Sequence, residues 1–516
     1  MASRARPLAP GAWALSVALA ALVLGTALAL ALRADSFTLR PAEWAALSFT
    51  LKQAALSALF STLIAIPVAR AMARRNFPGR GAMIVLMGAP FLLPVVVAVI
   101  GMLSVYGRNG VANQLLTALG LPPFSIFGLQ GVVLTNVFFD LPLATRMILN
   151  GWLSIPAERF RLAETLSLGP SGISRHLETP MLREVLPGAL TVIFLLCLTS
   201  FVVSLTFGGG PRATTLELAI YQALRFDFDL GRAALLAALQ FLTCAIAVTL
   251  AGRLTLPSNL GTGHDRPQIM RIPGRTALFI DAFFIITTAL FLILPLTMVL
   301  KDGLPALVAL SAAIWQSALR SLLMALISAN IATIGALTLT LAVARNAKGA
   351  QVIEIAAMLP MAASGLVLGT GLFLLIRPFA TPESLTLPVT VLVNAALALP
   401  FLYRMILPEA RALHQNYDYL CAALNLHGIS RLRLITLPRL GRPLGLGAGV
   451  AAALSMGDLG VVALFAGDDN ATLPLMIQRL AGAYRMADAA AASLLLVALS
   501  FALFWACDQG GRRAAP

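Results

Sequence analysis

The chain has 516 residues, 59% hydrophobic and only 11% charged, with a mean hydropathy of +0.88, whereas a soluble domain carries roughly 25% charged residues. That leaves too little polar surface for a soluble body and excludes disordered, collagenous and disulfide-scaffold classes, so the chain reads as an integral membrane protein. Lys+Arg outnumber Asp+Glu by 37 to 22, an excess that in a membrane chain points to basic loops on one side of a bilayer rather than to nucleic acid.

A spanning helix needs about 20 mostly apolar residues. Such runs occur at Gly11–Leu32, Leu51–Met72, Met83–Ser104, Gly131–Leu149, Val185–Leu205 and Ala233–Leu250. They continue at Ala277–Val299, Ser317–Ala344, Val352–Ile376, Leu387–Ile406, Leu446–Phe465 and Ala489–Trp505. The expectation is an all-α polytopic protein of about twelve spans. The first run follows Arg4 and Arg6, but its Leu32-Arg33-Ala34 exit is a poor cleavage site, so it reads as a signal anchor. Pro90, Pro94 and Pro360 interrupt the third and ninth runs, a break tolerated where neighbours satisfy the freed backbone groups. Cys197, Cys244, Cys421, Cys507 and the four histidines are scattered, with no metal-ligand spacing and no disulfide framework.

With the N-terminus in the cytoplasm, the segments holding Arg70–Arg80, Arg146–Arg183, Arg253–Arg275, Arg345–Lys348, Arg404–Arg442 and Arg512–Arg513 fall inside. These carry most of the basic residues, so the positive-inside rule favours both termini in the cytoplasm.

The chain repeats itself. Asn136, Pro142, Pro180, Phe207 and Thr214 recur 258 residues later as Asn394, Pro400, Pro438, Phe465 and Thr472. Arg146-Met147-Ile148-Leu149 likewise recurs as Arg404-Met405-Ile406-Leu407. Shared Leu/Ala composition does not explain matched Asn, Pro and Arg, so the register indicates duplication. Six spans separate the copies, which makes them parallel repeats around one central pathway. The polar stretch Arg253–Arg275 reads as the linker between them.

After the fourth span of each half comes a duplicated loop, Arg161–Pro180 and Tyr419–Pro438. Each reads as two short helices around a break, with small and apolar positions at Ala163, Leu166, Ala422 and Leu424 suited to a partner's groove. The plainer alternative is an interfacial helix resting on headgroups. The chain contains no G-x4-G-K-[ST], and no lysine follows a glycine, so it carries no P-loop and an external energy source is implied.

The loops resemble the E-A-A-x3-G-x9-I-x-L-P loop by which bacterial ABC-importer permeases dock on their ATPase. Ile435, Leu437 and Pro438 hold the I-x-L-P positions in the second copy, and Leu177, Thr179 and Pro180 in the first. The Gly position holds Ser167 and Asn425, and the Glu position Arg161 and Tyr419. The stretches Leu103–Arg108, Gly208–Leu224 and Ser455–Asp469, with Phe77–Arg80, are similar to the fused two-half permease of the bacterial thiamine/thiamine-pyrophosphate importer. Fused ferric-iron permeases are the nearest alternative, and an ion-gradient secondary transporter is the rival from another class.

The resemblance implies the type I ABC-importer permease fold in the inner membrane. Its expected organisation is a signal-anchor helix (1–45), half 1 (46–252), a linker (253–276), an extra helix of half 2 (277–312), half 2 (313–507) and a cytoplasmic tail (508–516). Expected partners are a cytoplasmic ATPase dimer, a periplasmic thiamine-binding protein and the bilayer, with no catalytic residue, metal or cofactor of the chain's own, since ATP binds to the ATPase. Ala163, Glu164, Leu166, Ser167, Gly169, Pro180, Ala422, Leu424, Asn425, Gly428 and Pro438 are the expected coupling residues. Gly209, Gly210, Asp468 and Asp469, on matched turns, are candidates for docking the binding protein.

Acids inside apolar runs are costly and face cavities or partners. Asp140 and Asp458, with Phe138 and Phe139, are therefore candidates to line the path of a cationic substrate by charge and cation–π contact. The alternative is that each aspartate caps or pairs a neighbouring helix. Asp281 and Glu354, near span ends, fit an interfacial position.

Overall fold

The computed structural model describes residues 9–34, 38–88, 93–208, 210, 213–254, 275–467 and 470–514, all of them helix or connection and none strand. The linker expected at Arg253–Arg275 lies almost wholly outside the described residues. The first half contains α1 (Pro10–Arg33), α2 (Pro41–Arg74), α3 (Arg80–Leu86), α4 (Val95–Tyr106), α5 (Val111–Ala118), α6 (Leu129–Leu153), α7 (Ala157–Thr165), α8 (Pro170–Ile173), α9 (Thr179–Leu198), α10 (Phe201–Phe207), α11 (Leu216–Arg225) and α12 (Leu230–Leu254). The second contains α13 (Arg275–Gly303), α14 (Ala312–Ala344), α15 (Ala350–Met358), α16 (Gly365–Ile376), α17 (Thr386–Ala423), α18 (Gly428–Arg431), α19 (Leu437–Met456), α20 (Gly460–Phe465), α21 (Leu473–Gly482) and α22 (Met486–Ala514).

Among the described residues, 11 helices are long and apolar enough to cross a membrane, and a pair bent by 93° at Ala363–Ser364 makes the twelfth. The bend follows Pro360, as the sequence leads one to expect. Two further breaks have no proline. The fifth run stops at Thr199–Ser200 and the eleventh at Gly457–Leu459. Thr199 and Ser200 turn their hydroxyls onto the carbonyls of Leu196 and Cys197, and such local bonds compete with the helical ladder. In the second half Asp458 Oδ1 accepts from the Gly460 amide at 3.2 Å and restarts the chain as α20.

The halves share one plan but differ where the chain leaves α4, because α5 has only the short 3-10 turn Pro382–Leu385 as its counterpart. Their first helices are exchanged. Helix α1 packs on α16 of the second half and on α12 of its own, and α13 packs on α4 and α2 of the first half and on α22 of its own. The contacts rest on two equivalent glycines. A Cβ at Gly101 of α4 would lie 2.6 Å from the Pro295 carbonyl oxygen in α13, and one at Gly371 of α16 would lie 2.5 Å from Thr26 Cβ in α1. Close backbone approach through small residues is how helices associate where lipid removes the hydrophobic drive.

The exchanged helices are also pinned at one end. Arg75 Nε donates to Asp281 at 2.7 Å, which ties α2 to α13 and explains the cost of an acid at that span end. Trp13 Nε1 donates to the Lys348 carbonyl at 3.2 Å. Within the second half, Gly441, Gly445 and Gly449 of α19 seat against Gly511, Cys507 and Phe504 of α22. The first half has Arg183, Pro187 and Thr191 at those repeat positions.

Candidate functional site

Helix α2 shows the depth of each layer. Its outward apolar residues run from Trp44 to Ile64, and Arg70, Arg74 and Arg75 lie beyond them. At about 1.5 Å per residue, Gln53 and Ser57 fall near the middle of the apolar band. There the first half builds a polar node on the α9/α10 break. Asn136 Nδ2 donates to Gln53 Oε1 at 2.8 Å and lies 3.3 Å from Ser57 Oγ and 3.5 Å from Ser200 Oγ. Gln53 Nε2 donates to the Cys197 carbonyl at 2.7 Å, and Gln240 Nε2 to that of Leu198 at 2.9 Å. The carbonyls freed by the break therefore find side-chain donors, as discontinuous helices in membranes require.

The second half repeats the node with fewer bonds. Asn394 Nδ2 lies 3.2 Å from Ser455 Oγ, which reaches Ser328 Oγ at 3.2 Å. Asn136 and Asn394 are a repeat pair, as are Cys197 and Ser455. The Asn136→Leu variant leaves the buried Gln53 acceptor unpaired. Its expected cost is about 1–3 kcal/mol, to be read as a lower thermal midpoint in detergent; Asn394→Leu should cost less.

Asp140 and Asp458 do not share one environment. Asp140 Oδ2 accepts from the Cys197 thiol at 2.9 Å, so it belongs to the first node. Asp458 caps α20 from the second break, within the register of Ser200. Phe138 and Phe139 stack edge-on at 5.5 Å, and Phe138 meets Phe291 of α13 at 5.8 Å. Phe138 also lines an apolar cavity of about 220 Å³ with Leu292, Leu296 and Val497. Two residues apart on a helix, Phe138 and Asp140 point in different directions. Phe138 faces Phe291 and Leu292 of α13, whereas Asp140 faces Cys197 of α9.

The duplicated loops share their construction. Helix α7 ends with Leu168 N bonded to the Ala163 carbonyl and Ser167 N to that of Glu164, both 2.9 Å. At the end of α17, Leu426 N bonds to the Cys421 carbonyl at 2.8 Å and Asn425 N to that of Ala422 at 3.2 Å. This is a Schellman cap in both copies. Ser167 at φ 53° and Asn425 at φ 50° occupy its left-handed position, so the loop keeps the glycine conformation after losing the glycine, which asparagine tolerates best. A short helix follows each cap. Gly169 is its N-cap in the first loop and Gly428 its first residue in the second, and π-turns at Ser174–Glu178 and Leu432–Thr436 lead on to Pro180 and Pro438.

Each loop holds one small residue inward and two leucines outward. Ala163 and Cys421 are buried, whereas Ala422 and Glu164 are exposed. The inward residue of the second loop is thus Cys421 rather than Ala422, and both the motif spacing from Tyr419 to Asn425 and the 258-residue register pair it with Ala163. Leu162 and Leu166 are 59% and 62% exposed, and their repeat partners Leu420 and Leu424 are 46% and 60% exposed. A pair four apart on a helix forms one face. Leu162 and Leu420 hold the motif's first alanine position and join the expected coupling residues.

The loops are anchored differently. In the first, Glu178 receives Arg70 Nη2 and Arg74 Nη2, each at 2.6 Å, with Arg70 Nε at 3.3 Å, which clamps the base of the loop to α2. Position 436 in the second copy is threonine, and there Asp418 holds Arg431 at 2.8 Å and His414 at 3.3 Å within the loop itself. Removing one partner of a buried charge pair costs about 3–5 kcal/mol, so Glu178→Gln should detach the first loop from α2. The check is faster proteolysis at Arg159–Arg175 while cleavage of the second loop is unchanged. Glu354 is half-buried, 3.8 Å from Arg411. Of the turn residues, Gly210 is described, with φ 116°, and Gly209, Asp468 and Asp469 lie outside the described residues.

No protein-family model matches the chain. It is 39% identical over 506 residues to the thiamine transport system permease protein ThiP of Brucella abortus (strain 2308), covering 95% of this chain and 93% of the relative. It is 38% identical over 538 residues to the protein of that name from Escherichia coli (strain K12), covering 99% and 98%. With that of Haemophilus influenzae it shares 33% identity over 468 residues, covering 88% and 86%. Near-complete coverage at this identity, on a duplicated all-α membrane fold, places the chain in the family of thiamine transport system permease proteins.

Proposed function

We propose that this chain is the membrane-spanning subunit of an ATP-driven importer that moves thiamine, or its phosphates, across the bacterial inner membrane. The observation that carries the reading is the pair of alike loops, each offering two outward leucines and an inward small residue from one end of a parallel repeat. Two matching grooves on a dimeric partner would accept them. Identity across nearly the whole length with thiamine transport permeases supports the substrate.

In this reading the Arg-rich end is cytoplasmic, as are both termini. A separate ATPase dimer binds ATP and grips the loops at Leu166 and Leu424. Its closure moves the loops, and the exchanged helices α1 and α13 make the halves move as a pair. A periplasmic binding protein delivers thiamine at the opposite end, with Gly209, Gly210, Asp468 and Asp469 as its candidate contacts. Asp140 and Asp458 contribute negative charge along the route of a cation. Neither a ferric-iron cargo nor an ion-gradient mechanism is favoured by the relatives.

The test is growth of a thiamine auxotroph lacking its own importer, at limiting thiamine, with this chain supplied alongside its cognate ATPase and binding protein. Rescue that disappears when the ATPase is omitted supports the assignment. Rescue without the ATPase contradicts it.

A further inference from the structure

Of the buried acids outside the midplane nodes and the loops, Glu43, Asp281 and Asp508 each have an arginine partner, and Glu217 has none among the described residues. Glu217, in the first turn of α11, is 2% exposed, and its Oε1 has no hydrogen-bond partner. The carboxyl lies against the Ser364 hydroxyl, which also caps α16 by accepting from Val367 N at 3.2 Å. Glu217 belongs to the first half and Ser364 to the second, so this contact lies on the seam between them. The amide of the neighbouring Leu216 donates to Thr50 Oγ1 at 2.8 Å, one turn of α2 from the Gln53 node.

The same seam brings in the second break. A Cβ at Gly460 would lie 3.8 Å from Asp458 Oδ1, 3.9 Å from Leu366 of α16 and 3.9 Å from Phe201 of α10. Asp458 uses Oδ1 to cap α20. Its Oδ2, with Asn394 alongside, makes no hydrogen bond of good geometry. Phe201 stacks edge-on with Tyr221 at 5.4 Å, and Tyr221 follows Glu217 by one helical turn on α11, on the same face. The start of α16 is thus flanked from both halves by a carboxylate with an idle oxygen, and an aromatic pair stands beside them.

An unpaired carboxyl oxygen in a membrane interior costs several kcal/mol, and glutamine at that position would remove the charge without changing the shape. The unpartnered carboxyl oxygens gain nothing within the closed seam, and a cation entering as the halves part would supply the missing partner. A permanently charged heteroaromatic ring, with its charge spread over the ring and no N–H to donate, is recognised by carboxylate charge and aromatic faces rather than by directional hydrogen bonds. Resting on the thiamine reading above, we infer that Glu217, Asp458, Phe201 and Tyr221 form a transient subsite for the substrate's cationic ring where the halves part. Phe138, which meets Phe291 of α13, is not part of it.

The test measures thiamine uptake by the full transporter in proteoliposomes, together with the thermal midpoint of the purified complex. Capture from solution is set by the binding protein, so the effect falls on maximal rate. Glu217→Gln should lower that rate about tenfold, the size of one lost charge contact of about 1.4 kcal/mol, with the thermal midpoint unchanged or raised. Tyr221→Leu, which removes the ring, should lose about fivefold. Uptake by Glu217→Gln within twofold of wild type, or a loss explained by lower membrane abundance, overturns the subsite. If the wild-type chain itself moves no thiamine, the substrate reading fails and the subsite with it, an outcome distinct from wild-type uptake that is indifferent to Glu217.

Discussion

Aspartate at both Leu166 and Leu424 should abolish uptake while leaving the chain inserted in the membrane at normal abundance. These leucines are about three-fifths exposed and stand on capped helix ends, so the substitution costs the isolated subunit almost nothing. In a groove each leucine contributes about 1.5–3 kcal/mol, and a carboxylate in its place must also be desolvated. Either single variant should weaken ATPase docking at least about tenfold and the pair multiplicatively, because the sites are distant. Co-purification of the ATPase with tagged permease, beside uptake, reads the effect. Retained ATPase with normal uptake in the double variant would mean that the loops are not the grip. The asymmetric anchoring adds a ranking: Leu166→Asp should uncouple more strongly than Leu424→Asp, because only the first loop is clamped to α2 through Glu178.

The second large effect concerns the exchanged helices. Valine at Gly101 meets the Pro295 backbone at 2.6 Å and valine at Gly371 meets Thr26 at 2.5 Å, and neither contact can relax by a rotamer change alone. Overpacking of this kind costs about 1–3 kcal/mol, and here it pushes apart the helices that hold the halves together. Both variants should show a lower thermal midpoint, less protein in the membrane and reduced uptake, to similar extents because the two sites are equivalent. Gly25 of α1, where an added methyl group would meet nothing within 4 Å, is the control. Gly25→Ala should be neutral or slightly stabilising, since alanine is the better helix former by about 1 kcal/mol.

Much of the architecture is legible in the residues. Runs of apolar length mark the spans, Pro360 marks the bend before α16, and the Asn, Pro and Arg register marks the duplication. Less legible are the breaks at Thr199–Ser200 and Gly457–Leu459. An apolar window does not register a hydroxyl turned onto a carbonyl, and the donors that stabilise the first break, Gln53 and Gln240, come from other helices. The exchange of α1 and α13 leaves no local signal at all, because Gly101 and Gly371 resemble any helical glycine until a partner backbone is seen against them. In the loops, residue type singles out Ala422, whereas the motif spacing and the repeat register both select Cys421, and burial agrees with them. Glu217 is visible in the sequence as an acid between apolar stretches, but its place on the seam comes only from tertiary contacts with Ser364.

That two like-oriented halves are driven through their loops by a separate ATP-hydrolysing motor is tested most directly in proteoliposomes. These hold this chain with its ATPase, with thiamine-loaded binding protein outside and ATP enclosed. The expected result is thiamine accumulation that requires enclosed ATP, stops when the ATPase is omitted and is indifferent to an uncoupler. Accumulation that proceeds without ATP and follows an imposed ion gradient would contradict it.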